Sequence, residues 1–363
     1  MKTTAVRILL AVTFVVGLGL RLHHFDTTPP PLETADEFAW TWAGMSLLRG
    51  GVPQSWSYLD AYANVASRSF HGQTFKIVTP WLDHPPLFAV LMGAWVGIAG
   101  FHDPYALSLR AMRCVPIGLW VVTFVLLAFV LARLFDPLQT LAALIVFSVS
   151  PPMVIQSRLV MAEALLVPLA LVAFWLLLQQ ADKPSRARLA GLGACTLMLP
   201  LIKVAALSLT AWLLIVALRK RAWSAAVVIA TTTVAALCLY AAYGAHFGWS
   251  QFSSVQQAHA GRFVGFNSGL ILLVSTHIVE RGLIYPLFLV ALVGALADAT
   301  EDRAVDFYLG ALVYAACMTF FADQRSVDLG IGFLQELTGD VHGPFLLSTR
   351  VNLRVAGAQA SGG

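Results

Sequence analysis

Apolar runs of about 20 residues recur along this chain, and a helix needs roughly that many residues to cross the hydrocarbon core of a bilayer. Across 363 residues the composition is 58% hydrophobic and only 12% charged, which excludes an ordinary soluble protein. The net charge of +4 is small and its basic residues are scattered. A nucleic-acid partner would need a basic face with interleaved aromatic residues on a soluble module, and the sequence has none. Cys114, Cys195, Cys238 and Cys317 each sit in or beside an apolar run, without metal-ligand spacing, and read as small buried hydrophobes.

The N-terminus carries Lys2 and Arg7 before the apolar run 8–20, as a signal peptide would. No small-x-small cleavage site follows, so a retained first helix over 5–22 is expected, with a cytoplasmic N-terminus. The run 87–99 reads as a surface or re-entrant helix, because counting it as a span throws the later basic residues out of phase. Spans are then expected over 108–131, 138–149 and 161–178, followed by a pair of short spans over 189–218 that turns at Lys203. Further spans are expected over 222–243, 269–296 and 307–321, with a second outer loop at 246–267 holding His246 and His259. That ordering places Arg133, Lys183, Arg186, Arg188 and the run Arg219-Lys220-Arg221 on the cytoplasmic side, as the positive-inside tendency asks. The acidic patch of Asp298, Glu301, Asp302 and Asp306 falls on the same side. The expected architecture is therefore an all-α polytopic membrane protein of about nine spans over residues 1–321. The tail 322–363 is polar and Gly-rich, accommodates no span, and is expected to be disordered or truncated.

The long polar segment before the helical run is the first outer loop, 23–87. Within it Phe38, Trp42, Met45 and Leu48 share a helical stripe that is too short to span and is closed by Gly50-Gly51. An amphipathic interfacial helix is expected there. Thr34-Ala35-Asp36-Glu37 fits the capping-box pattern, so Glu37 either caps that helix or joins Asp36 in a site. Asp36 is then a candidate general base. Asp83-His84-Pro85-Pro86 is stiff, because each proline restrains the residue before it, so Asp83 and His84 are aimed. The same residues also suit a plain surface turn. Ligand spacing for a metal, with His23, His24 or His71, is not met.

Three further positions stand out beyond the first loop. Glu163 lies at the mouth of a span, where a lone carboxylate is costly, and Arg158 is its neighbour in sequence, either as an ion-pair partner or facing a phosphate. Lys203 interrupts a long apolar stretch and either snorkels to the interface or binds an anionic headgroup. Arg262, in the second outer loop, is a weaker candidate for the same task.

The Asp36-Glu37 pair after the first span, His84-Pro85-Pro86-Leu87 closing the loop, and the Arg158 to Glu163 motif together resemble the GT-C glycosyltransferases. Within them the chain looks most like the protein O-mannosyltransferase and aminoarabinose transferase group, over about residues 5–220. The resemblance implies a GT-C-like bundle that takes a sugar from a polyprenyl-phosphate carrier on the outer face of the plasma membrane and passes it to a protein, lipid or glycan acceptor. It implies Asp36 as catalytic base, Glu37 as the adjoining acid, Asp83 and His84 at the acid-or-His position before Pro-Pro, and Glu163 where the family has Asp. Arg158, Lys203 and Arg262 are then candidates for holding the donor phosphate. Basic residues can do this without a metal, so neither a metal nor another cofactor is expected. The rival readings are a polytopic transporter or lipid flippase, and a non-catalytic paralogue.

Overall fold

The structure, a computed structural model, describes residues 3–32, 35–260, 305–307 and 309. The chain divides into two units, 1–261 with 286–317 and 262–285 with 318–363, and every described residue belongs to the first. The expected span over 269–296, nearly all of that over 307–321, and the tail 322–363 lie outside the described residues.

The described part is mostly helical. Four of its helices are long and apolar enough to cross a membrane: α1 (Thr3–Leu22), α4 (Leu109–Leu134), α7 (Glu163–Asp182) and α10 (Trp223–Ala260). Between them run shorter ones: α2 (Asp36–Gly50), α3 (Leu87–Ile98), α5 (Pro137–Val149), α6 (Pro151–Gln156), α8 (Arg186–Ile202) and α9 (Leu207–Arg219). Nine spans were expected from the sequence, and four of the described helices meet the length and hydropathy a crossing requires. At 1.5 Å per residue the 13 residues of α5 cover about 20 Å, short of a hydrocarbon core. The turn at Lys203 is as expected: α8 stops there, and a 3-10 turn over Val204–Ala206 leads into α9.

Side-chain bonds fix which helix ends lie together. Arg133 near the end of α4 pairs with Asp182 at the end of α7, while Glu37 of α2 bonds both Arg113 in the first turn of α4 and the Val160 amide just before α7. The two helices therefore run the same way, and α5 returns between them. The end of α8 meets the start of α7 through Lys203 and Glu163. Arg219 and Lys220 at the end of α9 meet the buried Asp306. One end of the bundle thus collects the 23–87 loop, and the opposite end collects the basic residues of the α4, α7, α8 and α9 termini.

The loop is a small packed unit, in which α2 and α3 lie against a sheet that the sequence pattern does not announce. Strands β1 (Ser55–Trp56), β2 (Val65–Phe70) and β3 (Gln73–Val78) pair antiparallel in the order β1-β3-β2. The β2–β3 hairpin closes on His71 and Gly72, both at positive φ, the two-residue turn whose twist matches the strands. Residues 37–45 of α2 are buried without a break, which corrects the expectation of a one-sided interfacial helix. The expected stripe is only part of what α2 buries. Phe38 and Trp42 meet Phe70 of the sheet, while Trp40 meets Phe88 of α3, so partners stand on opposite sides. Leu48, beyond the packed part, is half exposed. Backbones touch where α2 crosses α3: a Cβ on Gly44 would collide with the Ala89 carbonyl.

α10 covers the loop unit from the other side. It is kinked at Gly248, whose φ of 120° and ψ of 103° only glycine adopts readily. The piece after the kink folds Phe252 onto Tyr240, sends Gln251 to the Ala61 carbonyl and Ala63 amide, and sends Gln256 to the Leu82 carbonyl. Residues 246–260 are thus helical, where a solvated loop was expected, and their contacts close over the first loop.

Candidate functional site

Asp36 is the first residue of α2, half-buried, where the positive end of the helix favours its charge. Its charge bears on Asp83, which is only 8% exposed. Burial pushes the Asp83 carboxyl up to about 6, with the Asp36 charge adding to the rise, while hydrogen bonds from Tyr62, Ser57 and Trp81 oppose it. Tyr62 donates to Asp83 Oδ1 at 2.6 Å and accepts from the Leu82 amide at 2.8 Å. Burial first, then the Asp83 charge, hold the Tyr62 hydroxyl protonated well above its ordinary range, which fixes it as a donor.

His84 stacks on Trp40, ring centroids 4.7 Å apart, with Trp81 on its edge and His259 5.7 Å away. Burial, then the charges of Lys203 and His259, push its imidazole well below the usual range, so it is neutral at pH 7. Lys203 Nζ lies 2.5 Å from Glu163 Oε1, with both side chains partly open to solvent. Asp36, Asp83, His84, His259, Lys203 and Glu163 thus gather at one end of the bundle. They come from α2, the turn before α3, α10, the α8–α9 break and α7. The two prolines aim Asp83 and His84 as the sequence suggested, and the pair is buried in the unit instead of forming a surface turn.

Glu37 does not close a capping box. The cap position is Ala35, with no side-chain cap bond, and the Glu37 carboxylate instead grips Arg113 through both oxygens at 2.9 and 2.7 Å. Arg113 also donates to the Phe25 and Pro29 carbonyls, and both members of the pair are fully buried. Such a pair stitches α2 to α4 and leaves Glu37 no path to solvent. Arg158 does not pair with Glu163 either. Its guanidinium donates to the carbonyls of Leu20, His23 and Thr28, which fastens the segment between α1 and α2. Arg21, also fully buried, does the same on the other side, reaching the Ser148, Phe147 and Met153 carbonyls beneath the ring of Trp120.

Arg262 lies outside the described residues. Among the described residues no group of three or more His, Cys, Asp or Glu side chains is arranged to hold a metal ion. Sequence reasoning missed Arg21, Arg113, Tyr62 and the place of His259. For the two arginines a signal existed: a guanidinium at the edge of an apolar span is costly unless paired, so each demanded a named partner. Tyr62 had none, because its role depends on how the hairpin folds the chain back onto Leu82.

Fold and site together define a helical protein with four helices able to cross a membrane and a compact, polar, loop-built centre at one end. No family model, no curated protein and no solved structure matches the chain.

Proposed function

We propose that this chain is a membrane glycosyltransferase that takes a sugar from a polyprenyl-phosphate carrier and passes it to a hydroxyl or amine acceptor, on the extracytoplasmic face of the plasma membrane. The observation that carries this reading is the gathering of Asp36, Asp83 and His84 beside Lys203 at the mouths of the helices. An acceptor base and a cation for a phosphate then stand within one small unit at membrane level. The basic residues of the opposite end belong inside by the positive-inside tendency, which turns the loop end outward.

Polyprenyl phosphate leaves without help from a nucleotide, so the enzyme has to position it, neutralise its charge and deprotonate the acceptor. The acceptor oxygen or nitrogen attacks the anomeric carbon as the carbon–oxygen bond to the phosphate breaks. The bonding pair leaves with the phosphate, and Asp36 takes the acceptor proton. One displacement inverts the anomeric configuration. Lys203 exchanges part of its pairing with Glu163 for the departing phosphate, and neutral His84 offers a hydrogen bond without repelling a cation. Asp83, held by Tyr62, keeps the loop in register with Asp36, while Arg158 acts on the loop through the carbonyls it binds.

A transporter would need ionisable groups near mid-membrane. Among the described residues the charged groups in contact gather at the two ends, which favours the enzyme.

The test is transfer of labelled sugar from a panel of polyprenyl-phosphate sugars by the purified full chain in proteoliposomes, beside Lys203→Gln. Wild type is expected to transfer label, and the variant to raise the apparent KM for the donor by roughly tenfold or more with a smaller change in kcat. A folded wild type that transfers nothing from any donor overturns the reading.

A further inference from the structure

The β2 edge of the loop sheet is unusually open. β2 is the outer strand of the three, and five of its six residues are exposed. Phe70 and Gln73 flank a two-residue turn, so they form a hydrogen-bonded pair, and the pairing alternates from there. Phe70, Arg68 and Ala66 therefore bond inward to β3. The amides and carbonyls of Ser69, Ser67 and Val65 point away from the sheet, toward open space.

Natural edge strands are blunted by a lysine, a proline, an inward charge or a bulge. This one has none of these. Its single charge, Arg68, is laid over the Tyr105 ring at 4.3 Å, off the edge. Side chains on the face that carries Arg68 and Phe70 turn toward α2 and Tyr105, and those of Ser67 and Ser69 are short hydroxyls that leave the backbone accessible. At its far end the strand abuts the candidate site: the Phe70 ring lies 4.9 Å from Phe38, two residues beyond Asp36.

We propose that the β2 edge binds the acceptor, and that the acceptor is a polypeptide in extended conformation which adds to the sheet as a fourth strand. The sugar-transfer step after binding rests on the glycosyltransferase reading; the binding itself does not. Main-chain bonds from Ser67 and Ser69 supply affinity with little dependence on sequence. A strand advancing about 3.3 Å per residue carries its side chains in turn past the hairpin tip to the first turn of α2. A serine or threonine hydroxyl delivered there meets Asp36.

The experiment uses the full chain in nanodiscs, a fluorescent eight-residue peptide of alternating valine and threonine, and the same peptide N-methylated at every second amide. Ser67→Pro removes one outward amide without touching the ladder to β3, and prolines are tolerated on edge strands. The proposal expects the peptide to bind in the absence of any sugar donor. Ser67→Pro and the N-methylated peptide are each expected to weaken binding by at least about tenfold, with the helical signal of the protein unchanged. Ser67→Ala serves as the control that keeps the amide and should bind normally. Three results overturn the proposal: no binding to wild type, equal binding by Ser67→Pro, or equal binding of the N-methylated peptide. Self-association of wild type that Ser67→Pro abolishes would assign the edge to a second copy and overturn it too. Sugar transfer to a lipid or glycan with no peptide binding would sink the polypeptide acceptor and leave the transferase intact. Peptide binding without transfer would do the reverse.

Discussion

Asp36 and Glu37 are neighbours on α2 with opposite fates, because a helix turns successive side chains by about 100°. One step along the chain separates Asp36, whose charge bears on Asp83, from Glu37, which turns inward onto Arg113. Removing one partner of a buried ion pair leaves the other charge stranded, at about 3–5 kcal/mol. Glu37→Gln is therefore expected to lower the thermal stability of the detergent-solubilised protein sharply, and an unchanged melting temperature would show that the pair does not hold α2 to α4. Asp83 reverses the usual acid behaviour of a carboxylate. Its folded-state value of about 6 lies above the ordinary 3.8, so the folded protein binds the proton more tightly than the unfolded chain. The linked stability is present below about pH 4, falls as pH rises through about 6, and amounts to on the order of 3 kcal/mol. Asp83→Asn should flatten that part of the profile in denaturation measured between about pH 4 and 7, and a slope that survives the substitution would assign it to another group. The acidic pair and the aimed Asp83-His84 were readable in the sequence because adjacent charges and prolines are local signals. The partners of Glu37 and Arg158 were not, since each depends on a carbonyl or a guanidinium brought in from far along the chain.

Helices were read well wherever an apolar run was long, and α1, α4 and α7 begin and end within a few residues of expectation. Less was visible where tertiary packing overrode pattern. The sheet of the loop has strands of two and six residues, too short for alternation to stand out, and its aromatic face was read as one helical stripe on α2. The continuation of α10 past residue 243 was missed because its polar residues suggested a loop. They are polar because Gln251 and Gln256 bond the carbonyls of the loop unit. Gly248 is what allows the turn back. An alanine there must carry a Cβ in a backbone region that favours glycine, at a cost of order 1–3 kcal/mol. Gly248→Ala is expected to straighten α10 and draw His259 away from His84, detected as faster hydrogen exchange over 249–260 and in the loop unit. Unaltered exchange there would mean that the kink does not hold the cover in place.

At the scale of the molecule, the bundle keeps its charge chemistry at two ends. Arg133 with Asp182, and Arg219 and Lys220 with Asp306, occupy one; Glu37 with Arg113 and Lys203 with Glu163 occupy the other. The spacing of basic residues announced this division, since a charge beside an apolar run belongs at a membrane face. How the ends close around the loop was not readable, because α2, α3 and the second half of α10 meet only through contacts distant in sequence. The central claim is that Asp36, at the loop end, is the base for sugar transfer. Its most direct test is transfer in sealed proteoliposomes sorted by orientation, with donor lipid in both leaflets and a membrane-impermeant acceptor outside, for wild type and Asp36→Asn. Transfer only when the loop end faces the acceptor, and none from a folded Asp36→Asn in either orientation, is the predicted result; transfer at the basic end, or full activity of the variant, would contradict it.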